Sequence, residues 1–268
     1  MKTLSRIYNG IIFAFLYAPI LVLIVFSFND SKSRVVWNGF SLRWYEELFR
    51  DEEILSALGV TLSVAIIATI VSTVIGTLAA IGIRSVNRRL GRVLLAVNNF
   101  PMVNPEIVTG IALMLLFVFI YRTTGLLQPG YATLLLSHIT FCIPYVVLQV
   151  MPKLRQANPH LYEAAVDLGC PPVSAFFKVM VPEILPGIIT GALMAFTMSL
   201  DDFVISLFTS GASSQNLSVT IYAMVKRRVT PEINALSTLM FGAVLILLVL
   251  INILQIHSEP SRKGGKSK

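Results

Sequence analysis

Six long apolar runs decide what this chain can fold into. They lie at about 7–28, 57–83, 93–120, 130–151, 184–210 and 235–257. Each is long enough, as a helix rising ~1.5 Å per residue, to cross a hydrocarbon core of ~30 Å. Lipid offers no partner to a backbone amide, so runs of this length read as helices that satisfy their own hydrogen bonds. Composition points the same way. Only 13% of the 268 residues are charged and 55% are hydrophobic, with a mean hydropathy of +0.77. A water-facing domain carries about a quarter charged residues. We therefore expect an all-α membrane protein with one domain over 1–268, six transmembrane helices, no internal repeat and no second domain.

The charges that remain are unevenly placed. Lys2, Arg6, Arg88, Arg89, Arg92, Lys153, Arg155, Lys178, Arg262, Lys263, Lys266 and Lys268 fall on one side of the expected membrane. Basic loops favour the cytoplasm, so both termini are expected there. The run "VKRRV" at 225–229 falls on the other side and is outvoted. The net charge of +7 is thereby explained by loops between spans, without nucleic acid. The first run follows Lys2 and Arg6 and reaches Phe28 with no small-x-small site after it. It is expected to be retained as a span and not cleaved as a leader.

Several candidate chemistries fail on spacing. Cys142 and Cys170 have neither metal-ligand spacing nor a disulfide partner framework and read as packing residues. The terminal "GKS" lacks the preceding glycine, strand and helix of a phosphate-binding loop. No nucleotide or metal site and no catalytic residue is expected. If ATP drives the protein, a partner must hydrolyse it. His138, in the fourth run, reads as a hydrogen-bonded core histidine. Gly187 and Gly191 form a GxxxG that favours close helix packing. Thr230, Pro231 and Glu232 read as the capped start of the sixth helix.

Three places break the apolar pattern. The third run is interrupted by Asn98, Asn99, Pro101, Asn104, Pro105 and Glu106, so an irregular span is expected. The fifth contains "SLDDF", with Asp201 and Asp202 adjacent. Between the fourth and fifth lies an unusually long connection, about 152–183. In it "PHLYEAAVDLG" reads as a short helix stopped by Gly169. "PPVSAFFKVMVP" reads as a second short helix, with Val173, Phe176, Phe177 and Met180 on one face. Such a pair either lies at the lipid interface or docks into a groove on a cytoplasmic partner.

Glu163-Ala164-Ala165, then Gly169, then Pro182 resemble the EAA signature of permease subunits of binding-protein-dependent ABC importers. Val179 and Val181 stand where that pattern has Ile and Leu. "LYAPILVLIVFSFN", "SLRWYEELFRD", "SHITFCIPYVV", "SLDDFVISLFTSG" and "PEINALSTL" extend the resemblance over nearly the whole chain. They resemble the spermidine/putrescine permease family, on the side of its PotC-type subunits. The resemblance implies a six-span type I importer (MetI-like) fold whose 156–182 segment is a coupling helix seated on an ATPase. It also implies a second permease subunit in a heterodimer, two ATPase subunits that bind ATP and magnesium, and an extracytoplasmic polyamine-binding protein. The location implied is a bacterial plasma membrane. ABC import of another cation, an amino acid or a metal chelate is the alternative.

Charge within a span is costly unless it pairs or faces water. Asp201, Asp202 and Glu106 are expected at a similar height in the outer half of the membrane. They could pair with Lys226, Arg227 or Arg228, or cap an adjacent helix. They could instead bind a cationic substrate, a role that the family resemblance also implies. Neighbours on a helix point ~100° apart, so one aspartate should face the path more directly. Trp44 reads either as an interfacial anchor or as a cation–π face at the outer mouth; the resemblance adds it to the substrate route. An intramembrane aspartyl protease needs a different context around its carboxylates. A stand-alone cation-coupled transporter leaves the EAA segment without a docking partner.

Overall fold

A computed structural model describes residues 2–31, 36–158, 160–227 and 231–258. Among them the only extended pairing is an isolated antiparallel bridge between Asn29 and Phe40. Backbone packing divides the chain into two compact units, each built from segments distant in sequence. One comprises Met1–Leu58 and Val219–Val249, the other Gly59–Ser218 and Leu250–Lys268.

The first unit contains α1 (Lys2–Ser27), α2 (Arg43–Leu48), the start of α3 (Glu52–Ser85), most of α11 (Leu217–Arg227) and most of α12 (Pro231–Ser258). Its loop is organised by Asn29, whose carbonyl accepts the Trp44 indole N–H at 2.7 Å. The Asn29 side chain donates to Val36 O at 2.8 Å and accepts from Asn38 N at 2.9 Å. The "SLRWYEEL" stretch thus contains a short helix anchored by its tryptophan. Asp51 starts α3 by accepting from Glu53 N and Ile54 N. Such local side-chain capping satisfies amides that have no carbonyl one turn earlier.

The second unit is organised around α6 (Tyr131–Gln156). Its Phe141, Cys142, Val146, Val147, Val150, Met151 and Leu154 are buried together with Ala80, Ile184, Ala195 and Ile205. Glycines bring the neighbours close. A Cβ on Gly191 of α9 (Val181–Asp201) would lie 3.3 Å from Val146 Cα. One on Gly76 of α3 would lie 2.7 Å from Val146 Cβ. Val146 therefore fills a slot walled by two glycines. Dispersion between close backbones supplies packing energy where lipid removes the hydrophobic contrast.

Among the described residues, five helices are long and apolar enough to cross a membrane, and Pro231–Ile246 is a shorter apolar helix. Two expected spans are corrected in detail. The run at 93–120 is two helices, α4 (Arg88–Val103) and α5 (Glu106–Thr124). Asn104 is extended, at ψ 141°, because it precedes Pro105, whose ring disfavours helical geometry in the residue before it. The run at 184–210 starts earlier and stops sooner. Helical structure is continuous from Pro172 to Asp201 and restarts as α10 (Val204–Thr209).

The second half of the expected coupling pair is likewise corrected. It is not a separate helix: α8 (Pro172–Ala175) runs through a π turn (Phe176–Met180) into α9. Val181 N bonds Phe176 O, five residues back. Pro182 follows at once. It has no N–H for the Lys178 carbonyl, and its ring would press against that carbonyl in a regular helix. One extra residue in the turn relieves the conflict. Thr230, the expected cap of α12, and the basic tail from 259 lie outside the described residues.

Candidate functional site: a broken span and a docking segment

Asp201 and Asp202 sit where α9 ends, and their environments differ. Asp202 is 7% exposed. Its carboxylate accepts from Ser206 N at 2.8 Å, Ser206 Oγ at 2.7 Å and Ile205 N at 3.3 Å. It therefore satisfies the first amides of α10 from just before that helix. Asp201 is exposed and makes no hydrogen bond or ion pair among the described residues. Of the roles left open by the sequence, helix capping belongs to Asp202.

The break is held by a polar cluster in the core. His138 of α6 is 2% exposed. Its Nδ1 lies 2.7 Å from Ser199 Oγ and its Nε2 lies 2.9 Å from Ser206 Oγ. Asn216 donates to Ser206 Oγ at 2.8 Å and to the Asp202 carbonyl at 3.1 Å. One proton arrangement satisfies the set. Ser206 gives its proton to Asp202 and accepts from Asn216 and from His138 Nε2–H. His138 Nδ1 then accepts from Ser199. A fully satisfied buried network rigidifies the site it surrounds. Sequence reading missed Ser199, Ser206 and Asn216. The signal for the two serines was hydroxyls seven residues apart around an Asp pair; Asn216 carried none.

Glu106 opens α5 and is exposed. A carboxylate in a helix's first turn is favoured by the helix dipole. It too makes no hydrogen bond or ion pair among the described residues. The early part of α5 packs on α10: a Cβ on Gly110 would meet Phe208, Ile205 and Val204. The two broken spans are therefore adjacent, and each carries one unengaged carboxylate at its break.

Trp44 belongs to the other unit and is 2% exposed. The Arg43 guanidinium stands 5.3 Å from its ring centroid. Its cation–π partner here is its own neighbour. Arg43 also bonds Glu47 at 2.7 Å, which holds its pKa above the ordinary arginine value.

The EAA segment forms a second site. Glu163, Ala164 and Ala165 lie on α7 (His160–Asp167), which buries none of its residues. Cys170 N bonds Ala165 O at 3.0 Å and Gly169 N bonds Val166 O at 2.9 Å. Gly169 has φ +86°. This is a Schellman ending, which needs its glycine four residues after Ala165. The spacing of the signature is thus a helix-stop rule. Leu168 is 89% exposed and Phe177 64% exposed. Gly169→Ala should destabilise α7 locally by about 1 kcal/mol, because a Cβ disfavours positive φ. Faster amide exchange confined to 160–170 is the expected readout; unchanged exchange would refute the assignment.

The chain is similar to known proteins in sequence and in fold. The chain is 43% identical over 239 residues to the putrescine transport system permease protein PotI of Escherichia coli K12, covering 87% of this chain and 83% of that protein. It is 36% identical over 247 residues to the spermidine/putrescine transport system permease protein PotC of Haemophilus influenzae, covering 92% and 94%. A solved bacterial ABC transporter involved in importing alginate matches with a TM-score of 0.75 at 15% identity, covering 97% of this chain and 96% of that one. This last likeness concerns the fold, that of type I ABC importer permeases. With residues 72–264 matching the family as well, the chain belongs to the binding-protein-dependent transport system inner membrane components.

Proposed function

We propose that this chain is a permease subunit of an ATP-driven importer of polyamines, spermidine or putrescine. The observation that carries the reading is the pair of unengaged carboxylates, Asp201 and Glu106, at the breaks of two adjacent spans. A polyamine presents ammonium groups separated by methylene chains. It needs spaced anions with apolar walls between them. The names of the relatives, PotI and PotC, support the same cargo. Asp202 holds the break. Trp44 acts through the placing of α2 and Arg43.

Coupling runs through Glu163, Ala164, Ala165, Gly169 and Pro182. α7 with Leu168 and Phe177 docks on a cytoplasmic ATPase subunit. Two such subunits bind ATP and magnesium and hydrolyse the ATP; this chain catalyses nothing. A second, non-identical permease subunit completes the path, and an extracytoplasmic binding protein delivers the substrate. The assembly sits in a bacterial plasma membrane with both termini of this chain in the cytoplasm.

The test uses the complete transporter in proteoliposomes. Spermidine or putrescine with the binding protein should stimulate its ATPase activity. Asp201→Asn should lower uptake by at least about tenfold, the equivalent of one lost charged contact of ~1.4 kcal/mol, with assembly unchanged. Stimulation by an amino acid or metal chelate, and by neither polyamine, would reject the cargo. Full uptake by Asp201→Asn would remove that residue from the path.

A further inference from the structure

A cavity of about 620 Å³ lies where α3 ends, α4 begins and α6 ends. Arg84, Arg88, Arg92 and Arg155 line it, with Leu95 and Met151 among its apolar walls. No carboxylate lines it, and none of the four arginines makes an ion pair among the described residues. Arg88 and Arg92 are one helical turn apart, with Arg92 Nε donating to Arg88 O at 3.4 Å. Like charges at that spacing repel. The start of α4 adds further positive potential. Asn87 caps it by accepting from Leu90 N at 2.9 Å, and Asn87, Arg88 and Gly91 of this first turn line the pocket. Such a concentration of guanidinium groups asks for an anion.

We propose that this pocket binds the phosphate of an anionic membrane lipid headgroup. The chemistry is that of a phosphate ester: planar guanidinium forks match its oxygens, and the positive end of a helix favours it. Position favours a lipid over a soluble phosphate. Arg84 and Arg155 lie in the last turns of α3 and α6, two helices long and apolar enough to cross the membrane. The pocket is therefore at headgroup height, with apolar walls to receive the first carbons of the acyl chains. Basic pockets between spans suit such headgroups.

The full chain, purified in uncharged detergent, tests this by native mass spectrometry with phosphatidylglycerol, phosphatidylcholine and inorganic phosphate as probes. Arg88→Gln combined with Arg92→Gln should weaken phosphatidylglycerol binding by about 25-fold, ~fivefold per charge removed. Arg122→Gln, in the last turn of α5 and away from the pocket, should leave it unchanged. If the double variant does not fold, Arg92→Gln alone carries the test at ~fivefold. Phosphatidylcholine should be insensitive to all of these changes. Equal phosphatidylglycerol affinity in pocket and control variants would overturn the proposal. So would arginine-dependent binding of inorganic phosphate with none of the lipid, which makes the ligand a soluble phosphate. Loss of the ATPase subunits from the assembled complex with lipid binding intact would make the pocket a protein contact and would also overturn it.

Discussion

Asp202→Ala should cost about 3–5 kcal/mol and sharply reduce the amount of folded protein, whereas Asp201→Asn should leave both unchanged. The asymmetry follows from what each carboxylate touches. Removing the Asp202 carboxylate strands the amides of Ile205 and Ser206 in the core, together with the Ser206 hydroxyl. Each stranded group costs about 1–3 kcal/mol where water cannot replace the partner. The damage also spreads, because Ser206 is shared with His138 and Asn216. Asp202→Asn keeps one acceptor oxygen and should lose about 1–2 kcal/mol. Thermal unfolding in detergent, read by size-exclusion chromatography, gives the ranking. Equal losses at 201 and 202, or none at 202, would contradict the division of labour between them.

Gly191→Leu should separate α9 from α6 and lower stability by about 3 kcal/mol or more. At Gly191 even a bare Cβ meets Val146 Cα at 3.3 Å, Val146 Cγ1 at 3.3 Å and Val146 O at 3.5 Å. Two of these three atoms are backbone and cannot swing aside. Leucine carries three further carbons into the same space. Gly82→Leu is the control. Gly82 lies on α3, and a Cβ there meets nothing within 4 Å. That substitution should be neutral or gain about 0.5–1 kcal/mol from lower backbone freedom. The pair of melting temperatures checks the claim. Similar shifts for both would mean that bulk in an apolar helix, and not the α6–α9 contact, is what the protein resists.

Much of the architecture was legible in the apolar runs, because length and hydrophobicity are properties of contiguous sequence. The break at Asn104–Pro105 was legible too, since proline acts on its own neighbours. The EAA spacing proved equally local: Gly169 stops α7 through bonds to Ala165 and Val166. Other features escaped for a shared reason. The end of α9 at Asp201 depends on Ser206, His138 and Asn216, which lie on three separate segments. The π turn before Pro182 and the burial of Trp44 against Asn29 likewise depend on fine geometry that composition does not carry. The four-arginine pocket joins residues 84–92 to Arg155, more than sixty positions apart.

The sequence by itself determined that this chain lies in a membrane as helices, where the third helix is interrupted, and which family signature it carries. These follow from the transfer of apolar side chains out of water and from the covalent limits of proline and glycine, which act within a few residues. Only the tertiary structure decided which aspartate of "SLDDF" is structural. Adjacent residues with the same side chain have the same intrinsic chemistry. They part company when the fold brings His138 and Asn216 to Ser206 and turns the Asp202 carboxylate inward to meet it, leaving Asp201 outside.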